Sequence, residues 1–97
     1  MIAEYQALAL KTANYPKQHA LTYLSLGLAG EAGEVANIAK KVIRDDFGVL
    51  QAIKKDAILD ELGDVLWYVA VLAWELGVTL DDLAEHNIEK LRARYNK

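Results

Sequence analysis

The stretch LSLGLAGEAGEVANIAKKVIRDDFGVLQAIKKDAILDELGDVLWYV, residues 24–69, decides the fold. Its two halves are apolar at helical spacing and meet at Asp46-Phe47-Gly48-Val49-Leu50. The spacing predicts one helix from about Leu21 to Asp45 and another from about Gln51 to Leu76. In the first, the apolar stripe is Leu24, Leu28, Val35, Ile38 and Val42, and the slot it skips holds Glu31. In the second, the stripe is Ile58, Leu62, Val65, Val69, Leu72 and Leu76, with Glu61, Asp64 and then Tyr68 along its border. Each half therefore carries one acidic pair, Glu31-x-x-Glu34 and Glu61-x-x-Asp64. If the chain reverses near Phe47–Gly48, residues whose numbers sum to about 95 face each other. That places Glu31 across from Asp64 and Glu34 across from Glu61. Four carboxylates at one level repel unless protons or cations hold them. Oxygen ligands alone favour a hard cation, Mg²⁺ or Mn²⁺.

Either acidic pair alone is ordinary surface chemistry, since acids three apart on a helix are common. The core slot of Glu31 is not ordinary, because an unpaired carboxylate in an apolar stripe costs several kcal/mol or changes its protonation. Glycines gather around the acids: Gly27, Gly30 and Gly33 in the first helix and Gly63 in the second. Each costs a helix about 1 kcal/mol relative to alanine, so the expectation is close approach at all four. Lys41 and Lys54 repeat the mirror two turns away from Glu34 and Glu61. From there they are candidates to reach an anion held at the carboxylates.

Outward from this hairpin, a first helix is expected over about Ile2–Ala13, with Ile2, Tyr5, Leu8 and Thr12 on one face. Asn14-Tyr15-Pro16 ends it. Gly77 closes the third helix, and Thr79 with Asp82 opens a fourth. That helix carries Leu80, Leu83, Ala84, Ile88 and Leu91 on one side and Asn87, Lys90 and Arg94 on a polar face. Trp67 and Trp74, a heptad apart, are expected on a stripe opposite the acidic one. No strand alternation, repeat or linker appears. The fold class is all-α, a single domain over residues 1–97, built as a four-helix bundle around a long antiparallel central hairpin.

The chain has 97 residues, 54% of them hydrophobic, with a net charge of −3 and no cysteine. So small a body has difficulty burying that much apolar surface alone. The run Val65–Trp74, apolar on every side, calls for cover from a partner subunit. Homo-oligomerisation is the expected completion of the bundle. The negative charge argues against a nucleic-acid polymer or an acidic membrane as partner. Lack of cysteine excludes disulfides, thiolate zinc sites and a cysteine nucleophile. No secretory signal is evident and the longest apolar run is about half a bilayer span, so a cytoplasmic location is expected.

At Gly30-Glu31-Ala32-Gly33-Glu34-Val35 and Asp60-Glu61-Leu62-Gly63-Asp64-Val65-Leu66 the chain resembles the MazG-like nucleotide pyrophosphohydrolases of the all-α NTP pyrophosphatase superfamily. The family signature is E-x-x-E, a variable interval, then E-x-x-D. The likeness runs from about Tyr5 to Tyr95 and includes the ending Asn87-Ile88-Glu89-Lys90-Leu91-Arg92-Ala93-Arg94-Tyr95. It implies that Glu31, Glu34, Glu61 and Asp64 bind Mg²⁺, which holds a triphosphate. It implies hydrolysis of a nucleoside triphosphate, NTP or dNTP, to the monophosphate and pyrophosphate. Glu34 is the candidate general base, and Glu61 is expected to be indispensable. By the same resemblance Lys41, Asn87, Lys90 and Arg94 are candidate phosphate or nucleotide contacts, and Tyr68 and a tryptophan candidate base contacts. Dimers or tetramers are implied, with sites near subunit contacts. One departure is Gly30, where many members place a further acid. Three rivals stand beside this reading. They are a dedicated pyrophosphohydrolase for dCTP, dUTP or phosphoribosyl-ATP, a di-iron or di-manganese bundle, and a non-catalytic helical dimerisation or regulatory module. The bundle sites usually need Glu-x-x-His, which this sequence lacks.

Overall fold

The computed structural model describes residues 1–95. Four α-helices run in the order α1 (Ile2–Lys11), α2 (Ala20–Asp46), α3 (Ala52–Glu75) and α4 (Leu80–Tyr95). A short 3-10 turn, Lys17–His19, leads into α2. The described residues contain no strand. The hairpin of α2 and α3 forms as the periodicity requires, and its register is the expected one. Tyr68 lies across Gly27, and the Lys54 ammonium donates to the Lys41 carbonyl at 3.3 Å. Both pairs of numbers sum to 95. Phe47 and Gly48 reverse the chain with φ of 56° and 78°. The left-handed conformation suits Gly48 and is unusual for Phe47.

The buried core sits at the open end of the hairpin. Ala9, Tyr15, Ala20, Leu24, Ala70, Val71 and Leu80 form it, drawn from α1, the connection after it, and the three other helices. Gln6 binds these parts together. Its amide donates to the Ala70 carbonyl at 3.0 Å and to the Val78 carbonyl at 3.4 Å, and its oxygen accepts the Leu80 N–H at 3.1 Å. A buried amide so fully paired pins the first turn of α4 to the C-terminal part of α3. Tyr15 makes a second tie, its hydroxyl donating to Glu75 at the end of α3. Lys17 lies 4.0 Å over the Tyr15 ring, which stacks on Tyr23. Thr79 caps α4 by accepting the Asp82 N–H at 3.0 Å, and α4 leaves α3 at 97°.

One expectation needs correction. The first helix ends at Lys11, with Thr12 as its cap, and the face it buries holds Gln6 and Ala9 while Leu8 is exposed. The reason is Gln6, whose hydrogen bonds outrank the apolar pattern. The run Val65–Trp74 is covered on one side only: Ala70, Val71 and Ala73 are buried, and Leu66 and Trp74 are exposed. On α4 only Leu80 is buried, and Leu83, Ile88 and Leu91 face outward. Among the described residues no single helix is long and apolar enough to cross a membrane.

Candidate metal and nucleotide site

Glu31 projects from the middle of α2, and Glu61 and Asp64 project from successive turns of α3. One carboxylate oxygen from each lies within 4.8 Å of the others. The gap in the α2 stripe brings this about. A leucine at 31 would fill the groove between the helices, and the glutamate instead aims at the acids opposite. Glu31 and Glu61 are half-buried and Asp64 is exposed. Among the described residues no lysine, arginine or histidine forms an ion pair with any of the three. Their repulsion shows in Glu61. A hydrogen bond with Glu31, partial burial, and the charges of Glu31 and Asp60 all push its carboxyl above the ordinary range. The chemistry of the donor set fits a hard divalent cation: oxygen only, acidic, uncompensated, and close enough to converge on one ion.

Beside the acids opens a cavity of about 320 Å³ lined by Thr12, Glu31, Asp64, Trp67 and Tyr68. Tyr68 owes its place to Gly27, because a Cβ there would overlap the ring. Burial first, and then the charges of Tyr23, Glu31 and Asp64, raise the Tyr68 phenol above its usual value. Tyr5 on α1 is raised for the same two kinds of reason, burial and the charge of Asp64. The Trp67 indole N–H donates to the Thr12 hydroxyl at 2.8 Å, and its ring meets Tyr68 edge-on, 5.0 Å between centroids. The cavity thus joins an acidic end to an aromatic wall. With a divalent cation at the acids, that combination would suit a ligand with anionic and planar aromatic parts.

The other sequence candidates stand apart from this cavity. Glu34, one turn along α2, is exposed and is not among the three converging acids. Lys54 is held at the closed end of the hairpin by Asp46 at 2.7 Å and Asp45 at 3.8 Å. Lys41 is half-buried nearby, where its charge helps lower the Asp45 carboxyl, after Arg44 and Lys54. Asn87 lines a different, mostly apolar hollow with Ile2, Leu66, Leu80, Leu83 and Ala84. Lys90 and Arg94 are exposed on α4. Trp67 overturns its assignment to a stripe opposite the acids. It follows Asp64 by three residues, about 60° around the helix, so it lies beside them. Thr12 had no signal of its own, since a lone threonine at a helix end carries none. Gly30, Gly33 and Gly63 also differ from expectation, for a Cβ at each meets open space within the chain.

Comparison with known proteins agrees with this geometry. The profile of the MazG nucleotide pyrophosphohydrolase domain matches residues 18–97. The Gene 37 protein of Mycobacterium phage L5 is 43% identical over 99 aligned positions, covering 96% of this chain and 87% of that protein. The uncharacterized protein YvdC of Bacillus subtilis (strain 168) is 34% identical over 73 positions, covering 70% of this chain and 69% of that protein. No solved structure matches the chain.

Proposed function

The chain belongs to the MazG nucleotide pyrophosphohydrolase family, and on that premise we propose that it hydrolyses a nucleoside triphosphate, ribo- or deoxyribo-, to the monophosphate and pyrophosphate with Mg²⁺. The observation that carries this reading is the uncompensated group of Glu31, Glu61 and Asp64, of which Glu31 and Asp64 line an aromatic-sided cavity. When bound, Mg²⁺ or Mn²⁺ would neutralise phosphate charge, most of all on the departing pyrophosphate. Glu31, Glu61 and Asp64 would hold that cation. Glu34, exposed one turn along α2, supplies the fourth acid and takes the proton of the attacking water. The water oxygen bonds to the α-phosphorus as the bond to the bridging oxygen of pyrophosphate breaks. Tyr68 and Trp67 receive the base. A cytoplasmic setting suits such a substrate.

The proposal includes a homodimer or homotetramer. The Cα radius of gyration is 16.1 Å, against about 12.5 Å for a compact chain of this length. Lys41, Lys54, Asn87, Lys90 and Arg94 remain proposed substrate contacts. In one chain they stand off the cavity, so the reading requires assembly with a second copy to bring any of them to the phosphates.

The test is a panel of the eight common NTPs and dNTPs with Mg²⁺, scoring pyrophosphate against orthophosphate. Wild type should release pyrophosphate from at least one, and Glu61→Gln should lower kcat on the order of a hundredfold or more. Full turnover in that variant would remove Glu61 from the chemistry. Metal binding is tested separately by thermal unfolding. Mg²⁺ or Mn²⁺ at a hundred times its Kd should stabilise wild type by about 2.7 kcal/mol, and Glu31→Gln much less. An unchanged Tm in wild type would favour a non-catalytic helical module.

A further inference from the structure

The aromatic wall of the cavity depends on a residue that precedes the first position of the family match, residue 18. Thr12 caps α1, and its hydroxyl donates to the Ala9 carbonyl at 2.8 Å. Its proton is therefore committed, and toward Trp67 the same oxygen can only accept. The indole N–H is the only polar group that Trp67 has, and it is a donor. The two fit in one direction: Trp67 to Thr12 to Ala9. The ring is fixed on its other side by its edge-on contact with Tyr68, itself wedged across Gly27. Thr12 and Trp67 both line the cavity with Glu31 and Asp64.

We infer that Thr12 is a positioning residue for nucleotide binding, fixing the Trp67 ring and removing its N–H from recognition, so that Trp67 offers the base π surface alone. This rests on the nucleotide reading above. Stacking on an aromatic ring tolerates every base, because each base has a π face. A free indole N–H, in contrast, would favour bases presenting an acceptor at its position. The occupied N–H makes Trp67 indifferent to base identity, leaving any preference to other groups.

The experiment compares wild type, Thr12→Val and Thr12→Ser in the full chain. Valine keeps the volume and removes the hydroxyl, whereas serine keeps the hydroxyl. KM and kcat are measured for each of the eight nucleotides. The Trp67 indole N–H resonance is followed by ¹H–¹⁵N NMR without substrate, with Trp74→Phe identifying it. In Thr12→Val, KM should rise several-fold, unequally among the bases, with kcat within about twofold. The indole resonance should move upfield as its hydrogen bond is lost, and Thr12→Ser should restore both. Equal KM values in wild type and Thr12→Val would overturn the role of Thr12 while leaving the family reading intact. An unmoved indole resonance would overturn it at the level of the contact itself. Failure of wild type to bind or cleave any nucleotide would sink the functional reading, and this inference with it.

Discussion

At Gly27 one added methyl group decides where a ring can lie. A Cβ there overlaps Tyr68, whereas at Gly33 it meets open space. Both positions are mid-helix, where alanine is favoured over glycine by about 1 kcal/mol. Gly33→Ala should therefore stabilise the chain by up to about 1 kcal/mol in urea unfolding. Gly27→Ala should instead lose about 1 kcal/mol net, because overpacking outweighs the helix preference. It should also raise KM by displacing Tyr68 from the cavity. Opposite signs for two chemically identical changes, six residues apart on one helix, are the measurement to seek. If Gly33→Ala were destabilising, something outside a single chain would have to occupy that open space. The acidic group teaches a related lesson. Glu31 was legible in the sequence because it interrupts a stripe, and interruption is visible without coordinates. The register set Glu31 across from Asp64, but it paired Glu61 with Glu34, whereas in the structure Glu61 converges with Glu31 and Asp64. Thr12 was not legible, since its role depends on a neighbour 55 positions away.

Among the elements, the central hairpin was readable and the packing of α1 was not. The long helices announce themselves by period, and one short turn leaves them a single way to pair. A ten-residue helix offers few periods, and its buried face follows from Gln6, a polar residue that pattern alone would put outside. The tie between Tyr15 and Glu75 belongs to this scale as well. Burial first, then the hydrogen bond to Glu75 and its charge, raise the Tyr15 phenol from 10.0 to about 12. The native state thus holds that proton more tightly than the unfolded chain does. The stabilisation it brings is complete below pH about 10 and is lost as pH rises through about 12. Removing the hydroxyl should cost about 1.5 kcal/mol at neutral pH, several degrees in Tm. Thermal unfolding of wild type and Tyr15→Phe between pH 8 and 12 checks both statements. The two curves should converge in the alkaline limb, and parallel curves would deny the tie.

For the whole molecule the deciding quantity is surface. The described structure exposes 7056 Å², whereas a folded monomer of this mass exposes about 5,500 Å². The difference is about 1,500 Å² per chain, well above the roughly 800 Å² that each partner contributes to a stable interface. Its chemistry is apolar where it matters. Leu59, Leu62 and Leu66 form an outward stripe on α3 at three-and-four spacing, and on α4 Leu83, Ile88 and Leu91 are exposed as well, the last two one turn apart. A stripe of this kind is what a facing helix covers. In a solitary chain, Leu59→Glu with Leu66→Glu would be surface changes worth about 0.5 kcal/mol each at most. In an oligomer the same two changes would bury charge without a partner, at a cost of several kcal/mol. Sedimentation velocity over a wide dilution range should find wild type as a dimer or tetramer, with the double variant shifted to monomer and less stable. If assembly also carries α4 of a second copy toward the phosphates, the variant should lose turnover more steeply than it loses helix content. A wild-type chain that sediments as a 10.8 kDa monomer at every concentration, yet still cleaves nucleotides, would show that one hairpin suffices. Lys90 and Arg94 would then have no part in the site.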